Sequence, residues 1–273
     1  MQKRGVSVAF WALFLFILGS CSDFRKVQKS EDWNVKYKAA LEYYEDEDYY
    51  RASVLFEEIM PIIRGQDEGE MAQFYFAYCN YYQKLYQLSA HYFKSFYEIY
   101  SRSQHAEEAE FMAAYSLYLD SPIYNLDQTS TKEAIESMQL FINKNYNSKY
   151  SNEAQSIIEE MRSKLEIKGF ENAKQYFKMR LYNSAIIAID NYAIDYPDAF
   201  YNEELNFVKF KSQYLMAQAS IPSKKAERYK EAIDFYQEFL EEYPASKHLR
   251  EADKIYDGIV NALGRIEKSQ QLQ

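Results

Sequence analysis

The chain has 273 residues, with 7 Gly, 5 Pro, 28 Tyr, 18 Phe and a formal charge of −9. So little turn punctuation, among abundant helix formers and aromatics, predicts an all-α protein of one large domain or two. The acidic balance, without an evident basic patch, argues against nucleic acid as a partner.

In chain order, Lys3 and Arg4 come first, then an apolar run over 6–18 interrupted by Ser7. The run is shorter than the ~20 apolar residues a spanning helix needs. The small residues Gly19 and Ser20 follow, which is the layout of a secretory signal over 1–20. Leu18-Gly19-Ser20-Cys21 resembles the bacterial lipobox. The resemblance implies cleavage before Cys21 and acylation of both its thiol and the new amino terminus. Removing 1–20 takes away Lys3 and Arg4 and no acid, so a chain starting at Cys21 carries −11. Residues 21–32 then read as a lipidated tether. With Cys21 acylated, Cys79 in "FAYCNYY" has no disulfide partner and reads as a small buried residue.

Beyond the tether the aromatics repeat. Tyr37, Phe74 and Phe111 are 37 residues apart, as are Ala40, Ala77 and Ala114, Leu41, Tyr78 and Tyr115, and Tyr44, Tyr81 and Tyr118. A period of this size signals a solenoid of stacked supersecondary units. Within a unit, small residues recur twelve apart, as Ala40 and Ala52, Ala77 and Ser89, and Ala173 and Ala185. Small residues at that spacing let two antiparallel helices approach closely, while aromatics fill the seams. The pattern resembles tetratricopeptide (TPR) repeats, without the usual tryptophan and glycine of their first helix.

The predicted fold is therefore a TPR-like α-solenoid of about five helix-turn-helix repeats with a closing C-terminal helix. The units read as 33–66, 70–102 and 106–147 in an N-terminal part (33–147), then 166–199 and 200–244 in a C-terminal part (148–268). A helix over 151–165 leads into the fourth unit, 246–268 closes the array, and 269–273 is a tail. Two units are stretched: Ala114 to Ala134 and Ser212 to Ala232 are each twenty residues. Each stretch is expected to hold a loop between paired helices, through "DSPIYNLDQTST" and "SIPSKKAER". Such loops suit docking and are also tolerated as insertions; the second, which carries Lys224, Lys225 and Arg228 in an acidic chain, favours docking.

No constellation points to catalysis. His91, His105 and His248 lack metal-ligand spacing. The run Glu45-Asp46-Glu47-Asp48 lacks the alternation and central Gly of a calcium loop. Neither a phosphate-cradling Gly-rich loop nor a nucleophile elbow is present. The reading is a non-enzyme with no metal and no cofactor.

What remains is surface. In stacked helix pairs the first helix of each unit lines the concave face. That places Asn34, Tyr37, Leu41 and Tyr44 of the first unit there, with Met71, Phe74, Tyr78 and Tyr81 of the second. An aromatic groove binds extended peptides through large apolar area with few rotors to freeze. The alternative for half of these aromatics, Tyr44 and Tyr81 above all, is packing between repeats.

The lipobox, the short tether, "Y…RAS…LFEEI" near the mature start and the ending "YKEAIDFYQEFLEEYPASKHLREADKIY" together resemble the BamD family, lipoproteins of the outer-membrane β-barrel assembly machinery. The resemblance covers 18–268. It implies a lipid-anchored protein on the periplasmic face of the outer membrane. It implies N-terminal units that receive unfolded outer-membrane proteins through a C-terminal targeting strand ending in aromatics. It also implies C-terminal units that dock the periplasmic domain of a BamA-type insertase, with other accessory lipoproteins joining. The groove residues are then Tyr37, Leu41, Tyr44, Phe74, Tyr78 and Tyr81. The insertase contacts are sought over 200–265, with Lys224, Lys225, Arg228, Lys247 and Arg250. The chain departs from common members in its Tyr content and in a weak third unit, "EAIESMQLFINKNYNSKY". Two other roles fit the same fold. One is a TPR lipoprotein that scaffolds the envelope or pilots pilus or secretion subunits. The other is a surface glycan-binding lipoprotein.

Overall fold

The computed structural model describes residues 23–271. All regular structure among them is helical. A short helix over 23–28 (α1) precedes α2 (Trp33–Glu45), α3 (Tyr49–Ile59), α4 (Asp67–Tyr82), α5 (Tyr86–Ile99), α6 (Ala106–Asp120) and α7 (Thr129–Lys144). The chain continues with α8 (Ser151–Lys178), α9 (Tyr182–Asp195), α10 (Asn202–Gln218), α11 (Pro222–Glu242) and α12 (Leu249–Gln271). Neighbouring helices pack on one another in chain order, which makes the fold the TPR-like α-solenoid that the repeat spacing predicts. The chain divides into two compact units between Met161 and Arg162.

The small residues fix how closely paired helices approach. Ala40 and Ala52, Ala77 and Ser89, Ala114 and Ala134, Ala173 and Ala185, and Ser212 and Ala232 are all buried at the crossings. A larger side chain there would force the helices apart. The two serines satisfy their hydroxyls locally: Ser89 Oγ donates to the Ala77 carbonyl at 3.2 Å and Ser212 Oγ to the Val208 carbonyl at 2.7 Å. Around these crossings lie the large core residues, among them Phe56, Phe93, Phe141, Phe210 and Phe239.

Three of the helix hairpins share one turn. Glu47, Lys84 and Arg180 each take φ 61°, the left-handed conformation that ends a helix. The next residue then reaches back, with Asp48 N–H to Tyr43 O at 2.8 Å, Leu85 N–H to Asn80 O at 2.9 Å and Leu181 N–H to Tyr176 O at 3.0 Å. These are the hairpins with twelve-residue spacing, so the short turn and the close crossing are set together.

The junction between successive pairs is a second recurring device, one that periodicity alone had not revealed. Ser103 Oγ donates to Glu70 Oε1 at 2.6 Å, Ser148 Oγ to Glu107 Oε1 at 2.5 Å, and Ser246 Oγ to Glu203 Oε1 at 2.6 Å. The same oxygens accept the backbone N–H of His105 (3.0 Å), Tyr150 (3.1 Å) and His248 (3.1 Å), tying down the entry to the next helix. The ring two residues after each serine then packs on the phenylalanine of the preceding first helix. Centroid distances are 4.6 Å for Phe74–His105, 4.5 Å for Phe111–Tyr150 and 4.6 Å for Phe207–His248. The fourth pair keeps the ring contact, Phe170–Tyr201 at 4.2 Å, but has Ala199 in the serine position. There Asn202 Nδ2 donates to the carbonyls of Tyr196 and Pro197, both at 2.8 Å.

Two expectations change. The stretch 220–228 is not a loop between helices. Pro222 occupies the first turn of α11, where its fixed φ suits a helix and its missing N–H costs nothing, so Lys224, Lys225 and Arg228 stand on that helix. The extra residues lengthen the helix at its start. The helix expected over 151–165 and the first helix of the fourth repeat are also one continuous element, α8. No Gly or Pro interrupts it before Gly169, and Gly169 stays helical. Its beginning supplies Ala154, Ile157, Ile158 and Met161 to a core with Phe111 and Phe141, while Phe170 and Ala173 pack with Ile189 and Tyr192. The other stretched unit does hold a loop, over 121–128. Gln128 fastens it, its amide donating to the carbonyls of Ile123 (2.8 Å) and Leu126 (3.1 Å).

Candidate functional site

The first helices of the pairs in the N-terminal unit present a continuous row of tyrosines. From α2, Tyr44 meets Tyr75 of α4 at 4.8 Å and Tyr82 at 6.4 Å. Tyr82 stacks on Tyr49 at 4.4 Å and on Tyr78 at 5.9 Å. Tyr81 carries the row to Tyr115 of α6 at 6.4 Å, and Tyr115 to Tyr118 at 5.7 Å. The helical period places these residues on one face, since i, i+3, i+4 and i+7 lie together.

The row is also acidic. The Tyr78 hydroxyl donates to Glu108 on α6, and Tyr118 donates to Glu160 on α8 at 2.9 Å. Each bond joins the first helix of one pair to that of the next. Burial, then the Glu160 contact, pushes the Tyr118 hydroxyl up to about 12. Burial raises Tyr78 further still, helped by Glu108, and burial followed by its tyrosine neighbours raises Tyr44. Tyr81 and Tyr115 are raised by burial first, with neighbouring tyrosines and the Glu153 carboxylate adding to it. All these groups remain protonated donors near neutral pH.

The charge is unevenly divided between the units. Residues 23–161 hold 24 acidic and 13 basic side chains, whereas 162–273 hold 17 of each. The acidity of the chain thus belongs to the unit that carries the tyrosine row.

The structure sorts the groove residues expected from sequence. Tyr78, Tyr81 and Tyr44 join the row directly. Tyr37 is half-buried, edge-on to Phe56 at 6.3 Å, and Leu41 is half-buried against the first core cluster. Phe74 is 5% exposed, enclosed by Tyr78, Phe93, Phe96 and His105. It is a junction core residue and offers no surface to a ligand. Tyr82, 45% exposed, is a surface member that sequence reasoning missed, as it did Tyr75, Glu108, Glu153 and Glu160. Tyr115 and Tyr118 were visible as the third members of the Leu41 and Tyr44 columns.

The basic residues sought in the second unit separate into two groups. Lys224, Lys225 and Arg228 lie at the start of α11, with Lys224 Nζ 2.8 Å from Glu227 and Arg228 Nη1 2.6 Å from Ser220 Oγ. Lys247 and Arg250 flank the start of α12, at the other end of α11. A helix of 21 residues separates the groups by roughly 30 Å at 1.5 Å per residue. They do not form one patch.

Cys79 is buried and its thiol is pushed up to about 12 by burial, which leaves it unreactive. Among the described residues no group of His, Cys, Asp and Glu is placed to hold a metal ion. Among them, no helix is long and apolar enough to cross a membrane. Cys21 lies outside the described residues.

Residues 29–227 match the family model YfiO, described as outer membrane lipoprotein. The match runs from before α2 into the first turns of α11. No curated protein matches the chain.

Proposed function

The chain belongs to the YfiO family of outer membrane lipoproteins, and from that membership we propose that it is a non-catalytic subunit of the outer-membrane β-barrel assembly machinery. The family match over 29–227 is the observation that carries this reading. Acylation of Cys21 anchors the protein to the outer membrane on its periplasmic face. More than one acyl chain makes the anchor stable, at ~0.8 kcal/mol per buried methylene. Much of the stretch expected as a tether is instead the helix α1, whose Phe24 and Val27 pack on the first core cluster and whose Gln28 bonds Glu58. The acyl anchor itself therefore holds the helical units near the insertase and raises their effective concentration for docking.

The division of labour follows the two units. The tyrosine row of the N-terminal unit receives unfolded outer-membrane proteins. Flat aromatic surface with hydroxyl donors suits an extended chain, because it supplies contact area and backbone hydrogen bonds while freezing few rotors. Tyr44, Tyr78, Tyr81 and Tyr82 are the contacts proposed, with Tyr37 and Leu41 at the row's beginning. The charge-balanced second unit docks the periplasmic domain of a BamA-type insertase. Lys224, Lys225 and Arg228 are offered as one contact group, and Lys247 and Arg250 as a separate one. Accessory lipoproteins join the same assembly.

The test is purification of the tagged full-length protein from detergent-solubilised envelopes, followed by mass spectrometry. The proposal expects a barrel-forming insertase with repeated periplasmic domains as the dominant partner. Recovery of pilus, secretion or glycan-uptake components without an insertase would overturn it.

A further inference from the structure

The tyrosine row joins ring faces to carboxylates, and this combination selects among extended peptides. Tyr81 has Tyr82 at 5.3 Å, Tyr86 at 6.0 Å and Tyr115 at 6.4 Å. These spacings approach the ~7 Å that separates side chains i and i+2 on one face of an extended strand. The Tyr118–Glu160 bond sets one face of α8 against the row, and Glu153, seven residues before Glu160 on the same helix, shares that face. Its charge acts on the hydroxyls of both Tyr81 and Tyr115. It is exposed and has no hydrogen-bond or ion-pair partner among the described residues. Glu160 bonds Tyr118 but keeps spare acceptor sites, since a carboxylate offers about four. Around them the N-terminal unit carries 24 acids against 13 bases.

We propose that this stretch of the row takes the cationic side chain of a bound extended peptide, with a Lys or Arg over the Tyr81 and Tyr115 rings facing Glu153 and Glu160. The peptide's alternate residues on the same face are aromatic and pack on Tyr82. A cation over a tyrosine face is held by the ring quadrupole, and a nearby carboxylate adds to the attraction. The occupant is therefore a basic–aromatic strand rather than a purely apolar one. This rests on the reading that the row receives unfolded polypeptide, and it specifies which ones are held best.

The test uses the purified full-length protein and three fluorescein-labelled peptides of one alternating Tyr/Ser sequence. They carry Lys, norleucine or Glu at a central position, and binding is read by anisotropy. The Lys peptide is expected to bind about five- to tenfold tighter than the norleucine peptide at low salt. That advantage should shrink when salt brings the screening length to about 3 Å. The Glu peptide should bind weakest. Glu153→Gln should reduce the preference, and Glu153→Lys should invert the order of the Lys and Glu peptides. Glu153 is exposed and makes no packing contact that either change removes, and circular dichroism verifies that Glu153→Lys, a charge reversal in the first turn of α8, still folds. Equal binding of Lys and norleucine peptides, or a preference that survives Glu153→Lys, overturns the inference and leaves the peptide-receiving role standing. Failure of all three peptides to bind overturns that role, and the inference falls with it.

Discussion

The division of the aromatics into core and surface has a sharp energetic consequence at Phe74 and Tyr82. Both lie on α4, eight residues apart. Phe74 is 5% exposed and its ring sits 4.6 Å from His105 and 5.1 Å from Phe96 and Tyr78. Truncation to alanine leaves a cavity at the junction of two helix pairs, and Phe→Ala in such a place costs about 3–5 kcal/mol. Tyr82 is 45% exposed and its main packing loss is the stack on Tyr49 at 4.4 Å. Its truncation should cost about 0.5–1.5 kcal/mol. At roughly 3 °C per kcal/mol for a unit of this size, Phe74→Ala lowers Tm by about 9–15 °C and Tyr82→Ala by about 2–5 °C. Thermal unfolding followed by circular dichroism gives the shifts. Hydrogen exchange of the α4 and α5 amides assigns them to the N-terminal unit, since two compact units need not melt as one. Equal losses at the two positions, or a Phe74→Ala protein within about 1 kcal/mol of the parent, would refute the assignment of Phe74 to the core.

Other outcomes follow from single contacts. Ser246→Ala removes both the bond to Glu203 and the acceptor for His248 N–H, and should cost about 1–2 kcal/mol, read as earlier exchange of the α12 amides. Cys79 should resist iodoacetamide at pH 8 in the folded protein and react promptly in denaturant, because burial holds its thiol up near 12. For Glu58, burial pushes the carboxyl up, but hydrogen bonds from Lys36 (2.6 Å) and Gln28 (2.9 Å) outweigh it and hold the carboxyl below its ordinary 4.5. A depressed carboxyl contributes stability above its unfolded value and loses it as pH falls through the folded one. Denaturant titrations of the parent and Glu58→Gln should therefore differ most at neutral pH, by no more than about 1 kcal/mol, and converge below pH 4.5.

Much of the fold was legible because the repeat is written in residues that only packing can use. Ala40, Ala77 and Ala114 recur at one spacing because each marks a close helix crossing, and all are buried. The left-handed turn residues Glu47, Lys84 and Arg180 were not legible, since none is the glycine that usually marks such a conformation. The stretch after Ser212 misled because a proline with polar neighbours reads equally as a loop or as a helix start. Only the path of the chain shows that Pro222 opens α11. The tyrosine row was half legible. Columns identify which aromatics are equivalent, but not whether a column faces core or solvent. Thus Tyr37 stays partly accessible while its counterparts Phe74 and Phe111 are buried against junction rings. Glu108 and Glu160 follow no repeat column, and their contacts to Tyr78 and Tyr118 exist only once the helices stack.

In the proposed function the two units hold different partners, unfolded outer-membrane proteins on the tyrosine row and the insertase on the second unit. Site-specific photocrosslinking in growing cells separates them, with a benzoylphenylalanine at Tyr82, at Lys225 or at Leu140, which is 60% exposed on α7, a helix that contributes no residue to the row. Adducts with newly made outer-membrane proteins are expected from position 82, adducts with the insertase from position 225, and neither from position 140. Outer-membrane protein adducts from position 140 in place of 82, or insertase adducts confined to position 82, would contradict this division of partners.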